Sequence, residues 1–372
     1  MLEIIDDSHR SHLPSIYVVG IGGGGNNAIN RMVEAELKNA KFIAVNTDFD
    51  VLDGSKADSI IQIGRKTTGG YGAGTDPVVG EAAAEESTEE IMNSLSGANM
   101  VILTCGLGGG TGTGAITPIA KLCHDAGILT VAVVTLPFTF EGLPRTQVAL
   151  QGLERLRKET DTLLVIPNDK LLGLSERQLY LDDAFVLADN VLKYTIQGIT
   201  NIIFNKGTIN LDFNDFNKLL KNKGLAHLGI GIAQEGGSVI DAVKQAIDSP
   251  LLETTITNAT DVMLNTSGRI NLIELNEAIN YIHNLTGENT NVIWGTVTDE
   301  ETLHNKSIVV TLIATGIETI KKAIPAKRAP AKPPVEKPTL PPQTSLDLKP
   351  LQVPPFLKEY GKTVKRKASE VM

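Results

Sequence analysis

Two cysteines, Cys105 and Cys123, are all the sequence contains, and they form no CxxC pair. Both stand in apolar surroundings and read as small buried hydrophobes of a reducing compartment. No run of 18 apolar residues is present, so no membrane-spanning helix is expected. The opening MLEIIDDSHR is acidic where a signal peptide would be basic, and a cytoplasmic protein is the expectation. Basic charge is also scarce over most of the chain. Up to residue 317 there are 22 Lys/Arg against 38 Asp/Glu, and from Glu318 onward 12 against 5. An acidic body with a basic tail argues against a general nucleic-acid binder, whose footprint is a basic folded face. The tail charge suits an anionic membrane surface, an acidic partner, or simple solubility. Finally, no GxxxxGK[ST] occurs; Gly361-Lys362-Thr363 lacks the upstream glycine, which excludes an ordinary P-loop NTPase.

What is present is a chain of 372 residues, 42% of them hydrophobic, enough for a large core and two domains. Residues 1–14 read as a loose arm. From Ser15 short apolar runs alternate with helical spacing. SIYVVGIG, KFIAVNTD, ADSIIQIG, NMVILTCG, LTVAVVTLPF and TLLVIPND are the expected strands. NAINRMVEAEL, EAAAEESTEEIMNSLS and GAITPIAKLCHDAG are expected helices. This rhythm predicts a parallel sheet covered on both faces, an α/β Rossmann-like domain over 15–180. A long helix and its connector follow over 181–209, then a smaller α/β domain over 210–317. Ten of the 17 prolines fall after Glu318, which marks 318–350 as an extended disordered linker before a terminal segment, 351–372.

Gly20, Gly22 and Gly25 complete a GxGxxG directly after a strand and before a helix, with Asp48 near the place of a ribose-binding acid. Alone this fits a nicotinamide-dependent dehydrogenase. A second loop changes the reading: from Gly106 to Gly114, six of nine residues are glycine. Each glycine costs about 1 kcal/mol relative to alanine in a regular element, and a structural turn needs only one or two. Backbone amides wrapped around a polyphosphate at a helix N-terminus account for the run, with the Thr111 and Thr113 hydroxyls as further donors. Gly69–Gly74 is a third stretch that can reach a terminal phosphate, or else a flexible surface loop.

These residues resemble the tubulin/FtsZ family. GGGTGTG at 108–114 is similar to its signature, and VGIGGGGNNAINRM, VNTD, GAGTDP, PFTFEG, IPNDKLL, AFVLADNVL, NLDFND and SPLLE follow in the family's order over roughly 15–317. The resemblance implies a bacterial cell-division GTPase that polymerises head to tail and hydrolyses GTP between subunits. It implies that Gly22, Gly23, Gly24, Gly25, Asn26 and Asn27, with Gly108, Gly109, Gly110, Thr111, Gly112 and Thr113, cradle the phosphates. Ala73, Gly74 and Thr75 would sense the γ-phosphate. Glu141 and Arg145 would contact ribose and phosphate, and Asn168, Phe185 and Asp189 the guanine. A carboxylate accepts from guanine N1–H and the 2-amino group together; adenine offers no such pair and would leave it unpaired, at about 1–3 kcal/mol. Phe185 lies one helical turn before Asp189 and faces the same side, to stack on the base or simply to pack in the core.

For hydrolysis the resemblance implies that NLDFND enters the next subunit's site, where Asp212 and Asp215 orient the attacking water and Asn210 assists. The plain alternative is that Asp212 or Asn214 caps the helix FNKLLK. Mg2+ would be held mainly by the phosphates of GTP or GDP rather than by protein ligands, with Asp48 as an outer contributor. Val353, Pro354, Phe356 and Leu357 resemble the family's tail peptide, which docks on membrane-tethering adaptors, so that membrane contact is indirect. The sequence departs from the family at Leu136, at Leu143-Pro144 where basic residues are usual, at 205–208, and at Thr75-Asp76. Two further readings stand beside a division GTPase: a tubulin-like partitioning filament, and a regulatory paralogue that binds GTP without turnover.

Overall fold

The computed structural model describes residues 13–37, 39–172, 180–204, 212–234, 237–248, 255–297 and 307–317. Asn210, the N-terminal arm up to residue 12, the proline-rich segment and the tail peptide Val353–Leu357 lie outside the described residues.

The first half runs β1 (Ile16–Ile21), α1 (Gly22–Glu34), β2 (Lys41–Asn46), α2 (Phe49–Asp53), β3 (Ser59–Gln62), α3 (Arg65–Thr68), α4 (Pro77–Glu86), α5 (Thr88–Ser94), β4 (Met100–Gly106) and α6 (Thr111–Asp125). It continues through β5 (Leu129–Leu136), α7 (Leu143–Leu156), β6 (Thr162–Pro167), α8 (Asn168–Leu171), α9 (Leu181–Phe204), α10 (Phe213–Leu220) and β7 (Gly224–Leu225). The strands form one sheet in the order β3-β2-β1-β4-β5-β6-β7, all neighbours parallel. Apolar residues alternate between its faces because strand side chains alternate. Val18, Ile102, Val131 and Val133 pack with α1, α9 and α10, whereas Val19, Leu103, Ala132 and Val134 pack with α4, α6 and α7. Such double coverage explains why the strands read as continuous apolar runs. The stretch EAAAEESTEEIMNSLS is two helices rather than the one expected. The chain breaks at Ser87, whose hydroxyl accepts the backbone N–H of Gly64, so the polar side chain serves a loop instead of the helix.

After β7 come β8 (His227–Ala233), α11 (Val239–Ile247), β9 (Asp261–Ser267), α12 (Leu272–Thr286), β10 (Asn291–Val297) and β11 (Ile308–Thr315). They build a mixed four-stranded sheet, β10-β9-β11-β8, with β9 and β10 parallel and β11 antiparallel to both its neighbours. One face, carrying Val310 and Leu312, packs on α11 and α12. The other, carrying Leu228, Met263 and Ile313, joins the core that holds Ile196, Ile199 and Phe216. The long helix α9 is thus buried between the two sheets. Lys223, just before β7, adds an ion pair to Asp261 of β9 at 2.6 Å.

Candidate nucleotide site

In the larger sheet the strand order reverses between β1 and β4, which are hydrogen-bonded neighbours. Open α/β sheets bind ligands at the carboxyl ends of the strands flanking such a reversal. Both glycine loops lie there: α1 starts at Gly22 directly after β1, and α6 starts at Thr111, five residues after β4. Two helix N-termini, each with unpaired N–H groups and a positive dipole end, therefore meet at one place.

The glycines of these loops divide into two sets. A Cβ on Gly25 would stand 2.5 Å from the carbonyl oxygen of Thr104, one on Gly22 2.8 Å from the amide of Gly112, and one on Gly110 2.8 Å from the amide of Asp76. Those positions are glycine because backbone segments touch there. Gly23 and Gly109 differ. A Cβ would meet nothing within 4 Å at either, and neither has a left-handed φ. The protein itself gives no reason for glycine at these two positions, whereas a ligand approaching the backbone does.

The polar side chains of the loops serve mainly to hold them. Asn26, buried, donates to the carbonyl of Gly20 at 2.8 Å and accepts from the Asn46 amide at 2.9 Å. Asn46 in turn accepts the N–H of Thr47 at 2.9 Å. Asn26 thereby ties β1 to the end of β2, and its side chain holds the loop instead of facing a ligand. The Thr113 hydroxyl, expected to donate outward, is buried and accepts the N–H of Gly108 at 2.8 Å. It braces the signature loop from within. Thr111 is half-buried, and its hydroxyl lies 2.7 Å from that of Thr47. Asp48 caps α2 by accepting from Asp50 N–H at 3.0 Å, and it bridges to Tyr71 at the start of the third glycine stretch. Within that stretch Ala73 is buried and Gly74 has open space around it; Thr75, the next residue, holds φ +66°. A β-branched residue is strained in that region.

Beyond β5 and β6 lies a second cluster. The Glu141 carboxylate accepts Phe138 N–H at 2.9 Å and pairs with Arg145 Nε at 3.1 Å. Each of its oxygens keeps a free lone pair for a hydroxyl. Phe138 and Phe140 stack with ring centroids 4.9 Å apart, and Phe185 meets both edge-on at 5.6 and 6.3 Å. Phe185 is 40% exposed despite these contacts. Asn168 is buried, and its Oδ1 has no hydrogen-bond partner among the described residues. A buried unpaired acceptor costs about 1–3 kcal/mol, which a ligand donor would relieve. Asp189 receives Arg31 Nε at 3.0 Å. Burial pushes its carboxyl above the ordinary range, and Arg31 pulls it part of the way back. Leu143 and Pro144, the family departures, form the first turn of α7, where proline's missing N–H is harmless.

Arg31 and Asp169 were not among the residues singled out in the sequence. Arg31 lies one helical turn after Asn27 on α1, a spacing that would have placed it on the same face. The remaining group stands apart. Asp212 caps α10 through Asn214 N–H at 3.2 Å, and Asp215 pairs with Lys218 at 3.1 Å. At the far end of α10 the Leu220 carbonyl accepts from Thr162, the first residue of β6, at the opposite end of the sheet from the glycine loops. Helix α9, with 24 residues, is roughly 36 Å long and separates the two ends. Within one chain the glycine loops, Glu141 and Asp189 come together, and Asp212 and Asp215 do not join them.

A doubly wound nucleotide-binding domain joined through a long helix to a mixed-sheet domain defines a narrow class of proteins. The family model described as the tubulin/FtsZ family GTPase domain matches residues 15–176, and the FtsZ family C-terminal domain matches residues 224–318. Among solved structures the chain is similar to an empty FtsZ dimer from M. jannaschii. The two share 43% identity with a TM-score of 0.76, covering 82% of this chain and 88% of that one. A tryptophan-to-tyrosine mutant of FtsZ from M. jannaschii gives 42% identity and a TM-score of 0.76, over 82% and 91%. CetZ1 from Haloferax volcanii shares the fold at 19% identity and a TM-score of 0.71, over 82% and 96%. The chain belongs to the FtsZ family of tubulin-like GTPases.

Proposed function

We propose that this protein is a GTP-dependent, self-assembling GTPase that polymerises head to tail and forms the division ring at midcell. The observation that carries the reading is the pair Gly23 and Gly109, two glycines facing open space at converging helix N-termini. The phosphates of GTP fill such a cradle. Arg145 and Glu141 would hold the phosphate and ribose end, and Phe185, Asn168 and Asp189 would read the base. Asp48, which caps α2 and is bridged to Tyr71, would be an outer contributor to phosphate-bound Mg2+.

Hydrolysis then needs a second subunit. Asp212 and Asp215 lie at the other end of α9 from the cradle, which supports a site completed in trans; Asn210, from the same NLDFND motif, would assist them. Head-to-tail stacking brings one chain's α10 end to the next chain's nucleotide. Carboxylates suit that place, because phosphoryl transfer asks for an oriented water more than for covalent chemistry. The tail residues Val353, Pro354, Phe356 and Leu357 would dock on membrane-tethering adaptors.

Phosphate release from GTP across a protein concentration series, with ATP as control, tests this. A GTP-selective rate that appears above a threshold concentration is expected. A rate per molecule independent of concentration would sink the shared site. Tight GTP binding with no turnover at any concentration would instead identify a regulatory paralogue.

A further inference from the structure

We propose that Asp169 is a positioning residue of the nucleotide site, locking the turn that carries the ribose-side carboxylate to the turn that carries the base-side amide. The inference rests on the nucleotide reading above and assigns a role to a residue that touches neither base nor ribose in that reading.

Strands β5 and β6 are parallel neighbours whose register ends at Leu136 and Pro167. Past that pair each strand runs into a short turn, Thr139–Glu141 after β5 and Asn168–Leu171 after β6. Sheet hydrogen bonds no longer couple the two segments there, so a side chain has to. Asp169 does so with both oxygens: Oδ1 accepts the Thr139 backbone N–H at 2.8 Å, and Oδ2 accepts the Thr139 hydroxyl. Among the described residues every other hydrogen bond of Phe138–Glu141 closes within residues 138–145. The Asp169 carboxylate is therefore the polar tie between this turn and the next one along the sheet.

What the turn carries gives the tie its consequence. Glu141 ends it, aimed by Phe138 N–H and Arg145. Phe140 is half of the stacked pair against which Phe185 stands edge-on. On the other side of the tie, Asn168 immediately precedes Asp169 and holds the buried unpaired Oδ1. One carboxylate thus fixes the distance between a base-reading amide, an aromatic wall and a ribose-reading acid. The phosphate cradle is built from other loops, after β1 and β4, and does not depend on it. Loss of the tie should weaken contacts to the nucleoside and leave those to the phosphates.

The experiment is a double-mutant cycle on the full chain, with GDP affinity measured by titration calorimetry for wild type, Asp169→Ala, Glu141→Ala and the double variant. Tripolyphosphate serves as the probe for the cradle alone. Asp169→Ala should weaken GDP binding about tenfold, the scale of one charge-assisted hydrogen bond, with tripolyphosphate affinity unchanged. The double variant should bind worse than Glu141→Ala but by less than the two single effects combined, because Asp169 acts in part through the turn that holds Glu141. Asp169→Asn, which keeps an acceptor for the Thr139 N–H, should recover part of the loss. Unchanged GDP affinity in Asp169→Ala overturns the proposal, as do additive effects in the cycle. Equal weakening toward GDP and tripolyphosphate also overturns it, since that is the signature of a general loss of structure. A wild-type chain that binds tripolyphosphate but not GDP overturns the nucleotide reading itself, a result separate from any behaviour of the variants.

Discussion

Arg31 Nε lies 3.0 Å from Asp189 Oδ2 and joins the last turn of α1 to the first half of α9. The helix that opens at the proposed phosphate cradle thus ends on the carboxylate that would read the base. One rigid element of 13 residues spans both halves of the site.

This pair gives the site a pH dependence. Burial raises the Asp189 pKa and Arg31 lowers it in part. If Asp189 reads the base as proposed, recognition needs its carboxylate, so GDP affinity should be present above that pKa and fall as pH drops through it, at a higher pH than for an exposed aspartate. Folding runs the other way: a folded-state pKa above the unfolded value favours the folded chain at low pH, and that contribution is lost as pH rises through the folded pKa. In Arg31→Ala the opposing charge is gone and the pKa rises further. The acid limb of GDP binding, followed by calorimetry upward from the ordinary aspartate range of about pH 4, should lie at higher pH in Arg31→Ala than in wild type. An unmoved limb would mean that Arg31 does not act on Asp189.

Gly23 and Gly25 are two positions apart on α1 and should behave oppositely. Gly23→Ala places a methyl group in open space within a helix, so the nucleotide-free chain should be as stable as wild type or gain up to about 1 kcal/mol. Nucleotide affinity should nevertheless fall roughly tenfold or more, because in the proposed site phosphate oxygens approach the backbone through that space. Gly25→Ala drives its Cβ to 2.5 Å from the Thr104 carbonyl, inside the β1–β4 packing, and should unfold or abolish expression of the chain. Thermal melts without nucleotide separate the two, and Gly109→Ala should resemble Gly23→Ala.

Thr75, β-branched and exposed, holds φ +66° just after the third glycine stretch. Asparagine tolerates this region far better, so Thr75→Asn should raise stability by about 1 kcal/mol in denaturant melts. No gain would mean that the loop relaxes out of the left-handed conformation in solution.

Much of this arrangement was legible in the sequence, and the reasons differ by element. The strands β1, β2, β4, β5 and β6 announce themselves because burial on both faces makes them apolar throughout. Phe185 and Asp189 could be placed on one side of α9 from their spacing of one turn. The two-residue strand β7 could not be read, since a pair of residues has no periodicity. The break at Ser87 and the inward role of Asn26 depend on partners 23 and 20 residues away along the chain. The same holds for Arg31 and Asp169, whose partners are 158 and 30 residues distant. Local pattern locates the backbone loops of a phosphate site; it does not say which polar side chains face the ligand and which hold the loops in place.

Asp212 carries two roles that substitution can separate. It caps α10, a contribution of about 1 kcal/mol, and in the proposed filament it orients water in the neighbouring subunit's site. Asparagine caps a helix as well as aspartate does but has no charge with which to polarise water. Asp212→Asn should therefore melt with the wild type, bind GTP through its own intact cradle, and lose most turnover. Asp212→Ala should lose turnover and about 1 kcal/mol of stability together. Mixing supplies the decisive readout. Gly23→Ala weakens the cradle but keeps Asp212, whereas Asp212→Asn keeps the cradle. At GTP concentrations that leave the weakened cradle largely empty, each should be nearly inactive alone. In a mixed filament, an intact cradle of one variant meets an intact Asp212 of the other, and phosphate release should return above the level of either variant by itself. If the site were complete within one chain, no mixture of two defective chains could recover turnover. Sedimentation of the same mixtures shows whether the two variants assemble together, so that absent recovery in a co-assembled polymer counts directly against the shared site.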